Sequence, residues 1–381
     1  MDNRCCVGAN EARRACWDEI RPCHQRVGDD QEAGAPMTLA VETRRGSDFS
    51  ALSRLIRDAN LLDRRYGNYA VRIATTLGAF AATWVAFVLL GESWFQLITA
   101  GLLGLLFTQV AFLGHDGGHQ QILRTRRGNE LVCVVAGDLL VGLSFGWWVD
   151  KHNRHHSHPN HEGQDPDIGD GVLAFTTEQV AARHQTLGRF IAKNQAFLFF
   201  PLLMLEGLNL HVASARFLIS GVGRRYRRLE IALFAFHVVA YLAALLIVLT
   251  PAQAIAFFAV HQAVFGFYMG CSFAPNHKGM PTIPPGGKVD FLRRQVLTSR
   301  NVRGGRMTDF LLGGLNYQVE HHLFPNMPRP SLRKAQILVR DYCAAHGITY
   351  TETSLIGSYT TVLRYLHALG APLRQAPART G

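Results

Sequence analysis

The sequence predicts an all-α integral membrane protein with about four transmembrane helices in two hairpins, the other helices lying in the cytosol or at the membrane surface. Three observations predict it. Residues 73–90, 94–114, 231–250 and 252–274 contain no Asp, Glu, Lys or Arg, and each is about as long as a bilayer-crossing helix needs. Only Gly91, Glu92 and Ser93 separate the first two stretches and only Pro251 the last two, so each pair folds back on itself. Lys151, Arg154, Arg183, Arg189, Lys193, Arg224, Arg225, Arg227 and Arg228 then share one side of the membrane, against Glu92 on the other, which makes the basic side cytosolic. Both termini and the long segments 120–230 and 276–381 fall on that side.

The other elements follow in chain order. Residues 1–36 have no apolar period and no signal-peptide core; they are expected as a disordered extension, or as sequence ahead of a true start at Met37. Residues 48–65 carry Leu52, Leu55, Ile56 and Leu61 at roughly helical intervals, which predicts a short surface helix before the first span. Residues 131–149 are apolar enough to cross but contain Asp138 and three glycines, and 197–212 contain Glu206 and Asn209. Both are expected to lie half-inserted against the spans, since a full crossing at 131–149 would put the histidines on its two sides in different compartments.

The formal charge of +11 does not point to nucleic acid, because the basic residues lie beside the spans rather than along one soluble face. Membrane lipids with an anionic surface, or an anionic acyl carrier, suit it better. The seven cysteines show no metal-type spacing, and a cytosolic face disfavours disulfides.

Of seventeen histidines, eight cluster beside the predicted spans: His115 and His119; His152, His155 and His156; His277; His321 and His322. The i, i+4 pair in HDGGH and the i, i+3, i+4 triplet in HNRHH put imidazoles on one helix face, where they converge on a common ion; QVEHH repeats the triplet with Gln318 in first place. Neutral imidazole suits iron, zinc, copper or nickel, and eight nitrogens are too many for one ion. Two ions, ~3.5–4 Å apart as in other two-metal sites, would use them all. His24, His184, His211, His237, His261, His346 and His367 have no clustered partner and are expected as satisfied interfacial or core residues. His158 and His161 are expected in a loop, because Pro159 breaks the helix that would aim them inward.

HDGGH (115–119), KHNRHHSHPNHEGQDPDI (151–168), NH (276–277) and GGLNYQVEHHLFPNMPR (313–329) closely resemble the three histidine boxes of membrane fatty acid desaturases, and the Gln in the third box resembles the front-end and linoleoyl-CoA-like branch. The resemblance runs from about Asp48 to His346. It implies an extension over 1–47, a desaturase domain over 48–350 and a C-terminal tail over 351–381. It further implies that His115, His119, His152, His155, His156, His277, His321 and His322 bind two ferrous ions, which use dioxygen as co-substrate to place a double bond in an acyl chain carried on coenzyme A or a lipid. The sequence contains no His-Pro-Gly-Gly stretch of a fused haem domain, so electrons are expected from a separate ferredoxin- or cytochrome-type donor with its reductase.

Around that centre, Asp116, Asp165, Asp167 and Glu320 stand next to ligands and are expected to accept the outer imidazole N–H groups, fixing ring orientation. Gln318 is expected to support a water or a hydrogen bond rather than bind metal, since an amide is a poor iron ligand. Trp147 and Trp148 are expected at the lipid interface, and Gly117, Gly118, Gly313 and Gly314 to allow close approach of helices. No separate catalytic acid is assigned. The rival readings are an acyl hydroxylase or related oxygenase on the same irons, and a metal transporter or sensor; the latter needs ionisable groups inside the spans, which offer only His237 and His261.

Overall fold

A computed structural model of the chain describes residues 47–221 and 225–375. The expectations for residues 1–46, including Cys5, Cys6, Cys16, Cys23 and His24, lie outside the described residues.

The elements run α1 Ser47–Asp58, α2 Tyr66–Leu90, α3 Gln96–Gly118, α4 Arg126–Val134 with its wider continuation Val135–Val141, α5 Phe145–Ser157, α6 Thr177–Ala181, α7 Thr186–Leu203 and α8 Glu206–Ile219. They continue with α9 Arg227–Val248, α10 Pro251–His277, α11 Phe291–Leu297, β1 Asn301–Arg303, α12 Arg306–Leu311, α13 Gln318–Leu323, α14 Arg329–Ala345, β2 Glu352–Ser354, α15 Leu355–Leu369 and α16 Ala371–Gln375. Among the described residues the fold is all-α apart from one parallel two-strand pair.

Among the described residues four single helices, α2, α3, α9 and α10, are long and apolar enough to cross a membrane. The turns within each pair are short for visible reasons. Gly91 leaves α2 with φ at +55°, and the Gln96 amide donates to Phe87 O at 2.6 Å and to Gly91 O at 2.9 Å. Thr250 and Gln253 form a reciprocal capping box behind Pro251 at the head of α10. α3 and α10 form the inner pair, with their most apolar stretches 61% and 39% buried, against 11% for α2 and α9, whose apolar faces are left open to lipid. A Cβ on Gly104 would lie 2.9 Å from His261 O, so glycine lets the inner helices touch.

The helices run further than the charge-free stretches. α3 continues to Gly118 and α10 to His277, so His115 and His277 lie within the spanning helices' last turns rather than beyond them. The two half-apolar segments are broken. The helix Arg126–Val141 turns through 116° into α5, and α7 turns through 82° into α8.

The predicted first helix is shorter than expected, ending at Asp58, and its apolar face is covered. Leu52 and Ile56 pack with Val296, Val319, Leu323, Met327, Leu332 and Val339 in a second core next to the histidine boxes. The expected tail over 351–381 is instead built in as far as it is described. β2 pairs with β1, and Val362 and Leu366 of α15 bury against Phe199 and Ala274, because Tyr359, Val362, Leu363 and Leu366 form an apolar stripe of helical period.

Candidate metal centre

Each histidine reaches the centre from an element whose start or end the sequence fixes. The last turn of α3 presents His115, with His119 at its C-cap. Ser144 caps α5 by accepting from Trp147 N, and the helix carries His152, His155 and His156 until His158 and Pro159 end it. α10 ends on His277, and α13 is a short helix wholly buried from Gln318 to Leu323.

The ring nitrogens converge. Nε2 of His152 lies 2.9 Å from Nε2 of His119 and 3.0 Å from that of His156. Nε2 of His277 lies 3.3 Å from that of His155 and 3.1 Å from that of His322. Two groups result: one ring nitrogen each of His115, His119, His152 and His321 lie within 4.8 Å of one another, and so do those of His155, His277 and His322. His156 joins the groups, bonded to His152 on one side and stacked on the His322 ring at 4.2 Å on the other. The Nε2 atoms of His115 and His321 are buried without a hydrogen-bond partner. Burial, aided by neighbouring histidines, holds the rings of His119, His321 and His322 well below the ordinary imidazole pKa, so they are neutral. Neutral rings with unpaired nitrogens facing one another fit a pair of divalent ions.

The outer nitrogens are held from behind. His155 Nδ1 donates to Asp165 at 2.9 Å, His277 Nδ1 to Thr298 O at 3.0 Å, and His322 Nδ1 to the Gln295 side-chain carbonyl at 2.9 Å. Burial opposes the Asp165 charge, but His155 outweighs it and keeps the carboxyl below its usual range. Asp167 stands 3.5 Å from His155 Nδ1 and bonds chiefly to Lys151. Asp116 lies 3.5 Å from His115 Nδ1 and pairs with Arg329.

Two expectations need correction. Glu320 accepts from Asn301 at 2.7 Å and Tyr350 at 2.8 Å rather than from an imidazole, because β1 and the segment ahead of β2 bring those two donors to it; burial pushes its carboxyl up to about 7. Trp148 is no interfacial anchor: its ring stacks on His152 at 4.5 Å and meets His115 and His119 edge-on. Gly118 makes room for it, since a Cβ there would lie 2.1 Å from the indole. Gln318 donates to His277 Nε2 at 2.9 Å while its carbonyl accepts from Asn276 at 3.2 Å. His161 is buried in the loop after Pro159, its Nδ1 on the Glu162 carbonyl.

Gln295, Thr298, Asn160 and Arg329 also serve the centre without having been singled out. Asn160 reads as a loop residue, yet its amide reaches His277 O at 3.1 Å and its N–H reaches Asp165 at 2.7 Å. Asn160 and Arg329 lay inside the quoted box motifs, whereas Gln295 and Thr298 lay in none.

A family model described as fatty acid desaturase matches residues 92–354. The chain is similar to the acyl-lipid (9-3)-desaturase of Physcomitrium patens, 29% identical over 345 residues, covering 87% of this chain and 64% of that protein. It is also similar to the Delta(8)-fatty-acid desaturase of Euglena gracilis, 29% identical with coverage of 87% and 80%. The Delta(8)-fatty-acid desaturase 2 of Arabidopsis thaliana is 30% identical, with coverage of 86% and 76%. The chain thus spans less than two thirds of the Physcomitrium patens protein.

Proposed function

The chain belongs to the fatty acid desaturase family, and we propose that it is an oxygen-dependent desaturase that introduces a double bond into a fatty acyl chain. The observation that carries the reading is the convergence of eight imidazoles, seven from the three separated boxes together with His277, and the buried, unpaired Nε2 atoms of His115 and His321. His115, His119, His152 and His321 would hold one iron, His155, His277 and His322 the other, with His156 between them. When bound, the two ferrous ions supply the oxygen activation needed to break an unactivated C–H bond, which no side chain here can do.

The chain's own groups orient and exclude. Asp165, Thr298 and Gln295 fix three rings from their outer nitrogens, so that each Nε2 faces inward. Trp148 closes the first group against water, stacked on His152. Gln318, anchored by Asn276, offers an amide N–H to whatever small ligand or water shares the site. The substrate is an acyl chain on coenzyme A or a lipid, and electrons come from a separate ferredoxin- or cytochrome-type protein with its reductase. The basic segments beside the spans support a cytosolic side for both termini and the three boxes.

Lipid analysis by mass spectrometry of cells with and without the chain tests the reading. Products two hydrogens lighter are expected, and they vanish with His155→Ala or His322→Ala while the protein still reaches the membrane. Products heavier by one oxygen would make it a hydroxylase, and overturn the proposal.

A further inference from the structure

Between α4 and α5 the chain turns back inside a body that lipid surrounds, and this turn decides where His152, His155 and His156 arrive. α4 widens into a π-helix over Val135–Val141, stops at Gly142 with φ at +77°, and bends by 116° into α5. Such a stop leaves carbonyls unpaired, and in a low-dielectric setting each must find a donor.

Two other helices supply what the turn lacks. On α9, His237 Nδ1 donates to Leu139 O at 2.9 Å, and the Glu230 carboxylate accepts from Ser144 Oγ at 2.7 Å and Gly146 N at 2.8 Å. On α8, Ser214 Oγ accepts from Ser144 N at 3.1 Å, while His211 stands between Val141 O at 3.0 Å and its own helix's Gly207 O at 2.6 Å. The spacings, seven residues on α9 and three on α8, put each pair on one helix face. The seat fits closely. A Cβ on Gly142 would lie 2.6 Å from the His237 ring and 3.1 Å from His211 Nε2.

We propose that His211, Ser214, Glu230 and His237 are positioning residues: they clamp the turn at residues 139–146 from both sides and thereby fix α5 and its three metal-centre histidines. The ring nitrogens of α5 meet their partners at 2.9–3.3 Å, so a helix loosened at its first turn cannot keep them there. The link to metal rests on the proposed function, whereas the clamp is read from hydrogen bonds among groups outside the metal centre.

Hydrogen–deuterium exchange on the full chain in lipid nanodiscs, without metal, tests it. In His237→Phe and Glu230→Leu the amides of α5 are expected to exchange at least about tenfold faster, while those of α3 and α10 stay within about twofold. His237→Asn keeps a donor and Glu230→Gln an acceptor, and both should restore protection. Ferrous ion should then bind at least about tenfold more weakly to the first two variants than to the second two. Unchanged exchange in α5, or equal loosening of every helix, would overturn the clamp; loosened α5 with full iron affinity would overturn its role at the metal. Should His237→Phe not insert, Ser214→Ala removes a single acceptor and should speed α5 exchange by about threefold. If the unaltered chain binds no iron, the metal-centre reading fails and the exchange result alone judges the clamp.

Discussion

Arg329 places a guanidinium nitrogen 2.6 Å from a carboxylate oxygen of Asp116, and both side chains are almost wholly buried. The pair joins the third histidine box to the first. The same guanidinium donates to Phe112 O at 3.0 Å, and Arg329 N meets Tyr69 Oη at 3.3 Å, so one residue ties α14 to α2 and α3.

Removing one partner of such a pair strands the other charge. Arg329→Met and Asp116→Ala should each destabilise the chain by about 3–5 kcal/mol, because each leaves the other charge buried and unpaired. Thermal unfolding in detergent reads this; equal small losses in both would mean the pair is solvated.

His277 and Gln318 should separate ligand from support. His277→Ala is expected to lose iron and activity together. Gln318→Ala should keep most of its iron and turn over more slowly, since it deletes a hydrogen bond and not a coordinating nitrogen. Iron analysis of the two purified variants decides, and parallel losses would redraw the ligand set.

Gly118→Ala should act through the indole it displaces. With a Cβ 2.1 Å from the ring, Trp148 must leave its stack on His152, at a cost of about 1–3 kcal/mol for overpacking. Adding Trp148→Phe to Gly118→Ala should recover stability and part of the iron content. A double variant no better than the single would show that the damage lies elsewhere.

Topology can be read by cysteine labelling of sealed vesicles. Cysteine at position 92 should react only from outside, and cysteine at 184 only from the cytosolic side. Labelling of both from one side would reverse the hairpin arrangement.

Much of this was legible. Residues that repeat at helical spacing announce themselves, so seven of the eight histidines that the fold brings together stood out by spacing, and His277 by its depth beside a span. Groups that act through a backbone carbonyl or a lone amide leave no such pattern. Thr298 contributes only its C=O, and Gln295 lies in a helix whose other residues read as surface and core. Glu320 misled because adjacency in sequence to His321 does not show which way a side chain turns: its carboxylate faces Asn301 and Tyr350. Helix ends were misjudged for a related reason: charge-free runs stop at the first polar residue, but backbone hydrogen bonding carries α3 on through HDGG. His211 and His237 seemed isolated because their partners are carbonyls in the broken segment 135–146, a local geometry that periodicity does not reveal.

Ser358 and Arg300 meet on the last carbonyls of α10. Arg300 donates to Pro275 O at 2.6 Å and to Ser358 Oγ at 2.9 Å, and Ser358 reaches the same Pro275 O at 2.5 Å. The brace behind His277 is therefore closed from α15, far along the chain from α10. His277 cannot be held in its final place until both helices have been made, so a nascent chain stalled before residue 358 should enter the membrane with the end of α10 unbraced.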